Sequence, residues 1–230
     1  MELVCAAPAP VLVPVVGGGA FPVHRVYCVG RNYAEHAQEM GHTGREPPFF
    51  FLKPADTVVQ VAEGQTGEID YPTLTSNFHH EIELVVAIGT GGVGIRAADA
   101  LRHVYGYAIG LDMTRRDLQN DMKKQGRPWC IGKAFEQSAP IGPIHPLART
   151  GELARGPITL HVDGQLRQKG DLSDLIWNVA ETIEALSAAW VLQPGDLIYT
   201  GTPAGVGAVT RGQVMEGRIE GLGELRVRVR

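Results

Sequence analysis

Apolar and polar residues follow one another in short runs along this chain, too short for long helices. His24 to Val29 alternates with the two-residue rhythm of a half-buried strand. Phe49 to Leu52 is an apolar run closed by Lys53-Pro54, and Glu81 to Ile88 and Val104 to Leu111 read as strands rich in β-formers. Ile158 to Val162 and Leu166 to Gln168 flank Asp163-Gly164-Gln165, a hairpin signal. Asp196 to Tyr199 reads as a strand leading into a Gly/Pro loop over 200–208, and 213–229 divides into two strand-like runs about Gly221 and Gly223.

Helical patterns are few and brief. They cover Asn32 to Met40, Arg96 to His103, a segment ending near Lys124, and Asn178 to Ala189, the clearest amphipathic helix. Thr114 with Asp117 three residues later resembles a capping box for the third of these, and Gly126 would stop it. Residues 41–48 hold turn formers and few apolar anchors, which predicts a loop and a candidate lid. Many strands without β-α alternation predict a β-rich, mixed α/β domain with a few short helices rather than a doubly wound sheet.

Composition adds limits. The chain has 230 residues, enough for one large domain or two small ones, and its 29 Gly and 15 Pro suit many turns. Residues 1–24 are Pro- and Gly-rich and predict an extended or β arm ahead of a main domain over 25–230. A net charge of −4 offers no basic field for nucleic acid. No run of eighteen apolar residues predicts a membrane span. Val11 to Val16 is apolar, but Glu2 is acidic and Pro8, Pro10 and Pro14 interrupt the segment, so it does not read as a targeting signal. Cys5, Cys28 and Cys130 show no CxxC spacing, which predicts free thiols in a reducing, cytoplasmic setting.

The candidate chemistry centres on carboxylates. On a strand, Glu81 and Glu83 would share a face, with stems ~6–7 Å apart. Asp112 ends an apolar strand, where an uncompensated acid is costly. Three carboxylates without thiolate or clear imidazole favour a hard cation, Mg2+ or Mn2+, over zinc. The bland rival puts the glutamates on the wet face of an edge strand and makes Asp112 a helix cap. His79 and His80 adjoin the acids, but adjacent residues point to opposite faces, so at most one could join them.

Longer motifs carry a resemblance that spacing does not. Val29-Gly30-Arg31-Asn32-Tyr33, Phe51-Leu52-Lys53-Pro54, His79-His80-Glu81-Ile82-Glu83, Leu111-Asp112-Met113-Thr114, Lys133 and Thr200-Gly201-Thr202-Pro203-Ala204-Gly205-Val206-Gly207 occur in that order. From about Val26 to the C-terminus the chain resembles the fumarylacetoacetate hydrolase (FAH) family, and within it the members that hydrolyse acylpyruvates, fumarylpyruvate among them. The resemblance implies an FAH-type β-roll, a homodimer, a 2-oxo acid substrate from gentisate-type aromatic breakdown, and Mg2+ or Mn2+. It implies Glu81, Glu83 and Asp112 as metal ligands, His36 and Glu39 as a catalytic dyad, and Lys133 as an active-site lysine. Arg31, Arg116, Gln119 and Thr202 match positions that line or contact the substrate pocket.

On a helix, His36 and Glu39 would share a face, so Glu39 could orient the imidazole. His36 would then serve as general base for a water that attacks the acyl carbonyl. Each residue also has a plainer reading: a surface pair for His36 and Glu39, a solvated turn for Lys133, helix support for Arg116 and a simple turn for Thr202. Arg31, Arg45 and Arg116 are all candidates for the distal end of a dicarboxylic substrate. Oxaloacetate decarboxylation, or isomerisation or hydration of 2-oxo-dienoates, are alternative reactions on the same scaffold. A non-catalytic module that binds small acids is the alternative from another class.

Overall fold

The computed structural model describes residues 3–33 and 45–230. Among them, an eight-stranded sheet runs from Phe49–Lys53 through Val26–Gly30, Leu197–Tyr199, Ile82–Ile88, Val104–Leu111 and Ala139–Ile141 to Val58–Gln60, with His145–Pro146 paired beside Val104–Leu111. A five-stranded sheet runs Gln165–Asp171, Pro157–Val162, Val214–Ile219, Gly223–Val229 and Thr66–Ile69. Phe78–His80 forms a small sheet between Thr114–Arg115 and Gly207–Ala208, and Leu12–Pro14 pairs with Ala20–Pro22 as an N-terminal hairpin. Among the described residues helices are short, the longest being Val179–Ala189 and Arg116–Lys124. The β-rich architecture with few helices follows the reading of the sequence.

The Ile82–Ile88 strand is buried on both faces, which is why its sequence lacks alternation. Ile82, Leu84, Val86 and Ile88 belong to one core with Ile158, Leu160, Met215 and Val227 of the five-stranded sheet. Val85 and Ala87 face the opposite way and pack with Val26, Cys28 and Tyr199, and with Val13, Val15 and Phe21 of the N-terminal hairpin. Alternation places Glu83 on this second face, in line with Val85 and Ala87. The hairpin therefore covers the apolar half of the face that carries the acids.

Local chemistry explains several elements. Asp163 and Gly164 both take positive φ, +49° and +76°, and make the tight turn expected between their strands. Asn178 and Glu181 cap Val179–Ala189 reciprocally, side chain to backbone, at 3.0 and 3.1 Å. Arg96 to His103 forms a 3-10 helix over Ala97–His103. Thr114 does not open a capping box. It pairs with His79 in the small sheet, its hydroxyl donates to Asp112 O, and the following helix begins at Arg116 with no side-chain cap. Strand pairing claimed Thr114, a tertiary demand that local spacing does not reveal. Asn32 lies in a loop; residues 34–40 of the expected Asn32–Met40 helix, and 41–44 of the expected lid, lie outside the described residues. Among the described residues no helix is long and apolar enough to cross a membrane.

Asn32 joins distant segments. Its side-chain amide donates to Trp177 O at 2.9 Å and Thr200 O at 2.7 Å, and its carbonyl accepts from Trp177 N at 2.7 Å. The residue is fully buried, so removing the amide strands backbone groups that water does not reach. Asn32→Ala is expected to lower the unfolding free energy by about 3 kcal/mol, at ~1 kcal/mol for each of these bonds, read from the midpoint of denaturant unfolding.

Candidate metal centre and substrate cavity

Two antiparallel strands bring the acids together. Ile82 pairs with Leu111 and Glu83 with Gly110, so the register carried one step further sets Glu81 opposite Asp112. The Asp112 N–H donates to Glu81 O at 2.8 Å and closes that step. Glu81, Glu83 and Asp112 each offer an oxygen within 4.8 Å of the others. They are buried, at 5%, 2% and 1% exposure. The exposed-edge reading of the glutamates is excluded by this burial.

Cations from three other elements balance the cluster. Lys133, at the end of the single turn Cys130–Lys133, donates to Glu81 Oε2 at 2.8 Å, Asp112 Oδ2 at 2.7 Å and Thr114 Oγ1 at 2.7 Å. All three of its N–H donors are engaged, and the solvated-turn reading does not hold. Arg116 donates to Glu81 Oε1 through Nη2 and to Gln119 Oε1 at 2.5 Å through Nη1. Lys53, at the end of Phe49–Lys53, sets its ammonium 2.9 Å from Asp112 Oδ1 and also donates to the Met113 and Lys133 carbonyls. Lys53 stands in the Phe51-Leu52-Lys53-Pro54 motif, with no role expected of it from the sequence. A lone cation closing the apolar run Phe49 to Leu52 was the available signal in the sequence.

Glu83 differs from its neighbours. Among the described residues no cation lies within ion-pair distance of it, and its Oε2 accepts from Gly201 N at 2.8 Å. Burial, and then the charges of Asp112 and Glu81, push its carboxyl well above the usual range; Lys133 and the Gly201 N–H offset only part. Burial works to lower the Lys133 ammonium, but Asp112 and Glu81 carry it above its ordinary value. Asp112 Oδ1, though close to Lys53, completes no hydrogen bond among the described residues. Convergent hard oxygens, one carboxyl driven towards its protonated form and one oxygen short of a donor together fit a divalent cation of the Mg2+ or Mn2+ type.

Neither imidazole competes for that place. His80 bonds Gln168 Oε1 at 2.9 Å, and His79 bonds Asn77 Oδ1 at 2.7 Å. Burial, helped by the Arg116 charge, lowers His79 to about 4, and burial also lowers His80, so both stay neutral.

The acids form one wall of a narrow cavity. Lys133, Arg31, Arg116, Gln119 and Thr202 also line it, with Phe51 and Trp129 as apolar walls. Apart from Arg45, which lines a different cavity, every candidate site residue that is described meets here. Thr202 holds the loop rather than offering a free hydroxyl: its Oγ1 donates to Ile82 O at 2.8 Å and accepts from Gln168 Nε2 at 2.8 Å. Gly201 takes φ +101°, and a Cβ there would stand 2.7 Å from Asn32 Cβ, so only glycine lets this loop deliver its N–H to Glu83. His36 and Glu39 lie outside the described residues.

Comparison with known proteins agrees with this geometry. Residues 25–230 match the family described as Fumarylacetoacetate (FAA) hydrolase C-terminal. The crystal structure of fumarylpyruvate hydrolase from Pseudomonas aeruginosa in complex with Mn2+ and pyruvate superposes with a TM-score of 0.97 at 59% identity, covering 99% of this chain and 99% of that chain. A fumarylpyruvate hydrolase of Ralstonia sp is 47% identical over 184 residues, 80% of this chain and 93% of the relative. A mitochondrial oxaloacetate decarboxylase of Dictyostelium discoideum is 41% identical over 198 residues, 86% of this chain and 89% of the relative.

The raised Glu83 carboxyl makes metal and proton competitors. Between the usual carboxylate range and its raised value, the metal-free fold holds a proton that the unfolded chain has lost. Stability of the metal-free protein therefore falls as pH rises through that window. Mn2+ binding is expected to release a proton there and to weaken as pH falls. Calorimetric titration in buffers of differing ionisation heat measures the release, and Glu83→Gln should abolish it and weaken Mn2+ binding at least tenfold. Equal proton release by Glu83→Gln and the unaltered protein would remove Glu83 from the ligand set.

Proposed function

The chain belongs to the fumarylacetoacetate hydrolase family, and on that premise we propose that it is a divalent-metal-dependent hydrolase that cleaves the carbon–carbon bond of an acylpyruvate, fumarylpyruvate in particular, to fumarate and pyruvate. The observation that carries this reading is the buried convergence of Glu81, Glu83 and Asp112 on a cavity also lined by Arg31, Arg116, Gln119 and Thr202. Its support from relatives is the high identity to fumarylpyruvate hydrolases, one of them seen with Mn2+ and pyruvate.

Glu81, Glu83 and Asp112 would hold Mg2+ or Mn2+, which supplies a Lewis acid for the 2-oxo acid half of the substrate. Gln119 and the backbone of Thr202 would orient the substrate from the cavity wall. No imidazole is among the described residues that line the cavity. His36, five residues beyond Arg31, is the proposed base, oriented by Glu39. It takes a proton from water as the oxygen attacks the acyl carbonyl. The tetrahedral carbon then collapses, the bond to the pyruvate methylene breaks with its electron pair going to the pyruvate half as enolate, and the proton His36 took from water completes the methyl group. Lys133 contributes by its charge, fixing Glu81 and Asp112 in their places. A homodimer, a cytoplasmic setting and a role in aromatic breakdown belong to the same proposal and rest on the family resemblance.

Oxaloacetate decarboxylation is the second reading, favoured by the 41% identical relative of that name. It needs no hydrolytic water and hence no His36. On Mn2+-loaded protein, fumarylpyruvate is expected to yield fumarate and pyruvate, and His36→Ala to lower kcat by about 100-fold or more. Release of CO2 from oxaloacetate at comparable kcat/KM, with fumarylpyruvate untouched, would reverse the assignment.

A further inference from the structure

Three arginines were candidates for the far end of a dicarboxylic substrate, and the structure separates them. Arg116 is engaged with Glu81 and Gln119. Arg45 pairs with Glu181 at 2.5 Å, stacks 4.2 Å from the Trp177 ring centre, and lines a different cavity beside Asn178 and Glu181. Arg31 alone lines the metal-side cavity with no carboxylate partner among the described residues, and its buried Nε has no hydrogen-bond partner.

The chain goes to some cost to hold Arg31 there. Arg31 takes φ +56°, a left-handed conformation that non-glycine residues seldom adopt. On one side Gly30 is packed under the Phe49 ring, where a Cβ would come within 2.0 Å of a ring carbon. On the other side Asn32 is tied to Trp177 and Thr200. The guanidinium lies 5.2 Å from the Phe49 ring centre and 6.0 Å from that of Trp129. Aromatic walls remove water from the ion and strengthen any pair it makes. A second cation, Lys123 on the Arg116–Lys124 helix, shares with Arg31 and Trp129 the lining of an adjoining open pocket, and makes no ion pair among the described residues. Burial, and then the neighbouring charges of Arg31 and Arg116, hold the Lys123 ammonium below its ordinary value.

We infer that Arg31, backed by Lys123, forms a carboxylate subsite that selects acylpyruvates whose acyl chain ends in a second carboxylate over those with a neutral acyl end. The inference rests on the acylpyruvate reading above and adds its specificity: one end of the substrate lies at the three acids, the other at Arg31. A guanidinium fork matches a carboxylate in two parallel bonds, and an ammonium does not.

The test compares kcat/KM for fumarylpyruvate and for acetylpyruvate on Mn2+-loaded protein. Arg31→Gln is expected to lower the fumarylpyruvate-to-acetylpyruvate ratio about 30-fold or more, on the scale of a charge-assisted hydrogen bond lost from a desolvated site. Arg31→Lys should recover part of that loss. Lys123→Gln, on the exposed face of its helix, should lower the ratio about threefold. Mn2+ affinity and the melting curve of each variant identify any that fails to fold; should Arg31→Gln fail, Arg31→Lys and Lys123→Gln decide. An unchanged ratio, or equal losses on both substrates, overturns the subsite while leaving the acylpyruvate reading in place. If the unaltered, Mn2+-loaded protein hydrolyses neither acid, the acylpyruvate reading itself falls, and the subsite with it.

Discussion

Carboxylates confined within a few ångströms of one another inside a protein repel strongly. At ~4 Å and an effective dielectric of ~20, each like pair costs about 4 kcal/mol before desolvation is counted. Glu81, Glu83 and Asp112 are held in this way, and the architecture around them answers that repulsion. Lys53 and Lys133 face Asp112, and Lys133 and Arg116 face Glu81. Glu83 receives a backbone N–H but, among the described residues, no cation. The formal charges of the three acids and three bases cancel, so a divalent cation added to the cluster leaves it positive. That surplus is the condition for binding an anionic 2-oxo acid.

The balancing groups lie far apart in the chain, and the fold gathers them. Lys53 ends a strand on the edge of the larger sheet, Lys133 ends a single helical turn, and Arg116 begins a helix. Gly201 belongs to a loop whose other members are fastened to the Ile82–Ile88 strand: Thr200 to Leu84 O and Thr202 to Ile82 O. Gly132 lies against the backbone of Gln119, where a Cβ would be 2.8 Å from its nitrogen, and this close approach lets the short turn carry Lys133 inward. The N-terminal hairpin closes the apolar remainder of the same sheet face with Val13, Val15 and Phe21. Acids and hairpin thus share one surface of the central strands, and the opposite surface is given wholly to the core between the two main sheets.

Backbone conformation does part of the chemistry. Gly201 at φ +101° and Arg31 at φ +56° occupy the left-handed region on opposite sides of Asn32, whose amide bonds fix both loops. One conformation aims an N–H at Glu83, and the other holds a guanidinium over the cavity. The Gly-Arg-Asn-Tyr and Thr-Gly-Thr-Pro motifs are therefore two halves of one structural joint, although 168 positions separate Asn32 from Thr200.

Much of this is legible in the sequence of the chain. Short alternating runs determined a strand-rich fold, because side-chain direction in a strand follows from position alone. Asp163-Gly164 and the Asn178–Glu181 pair announced a turn and a helix start, since their chemistry is local. The spacing of Glu81 and Glu83 set two carboxylates on one side of the chain, and the ordered motifs pointed to the acids, Lys133, Arg31, Arg116, Gln119 and Thr202. What the sequence could not contain was the partnership among distant residues. Thr114 read as a helix cap until a strand claimed it, and Lys53 carried no assignment until it met Asp112. Thr202 kept its place in the cavity wall, but its hydroxyl went to the loop. Choosing Arg31 over Arg45 and Arg116 required knowing which guanidinium already had a carboxylate. Local geometry is written residue by residue, whereas charge balance is a property of groups brought together only when the sheets pair and the loops close over them.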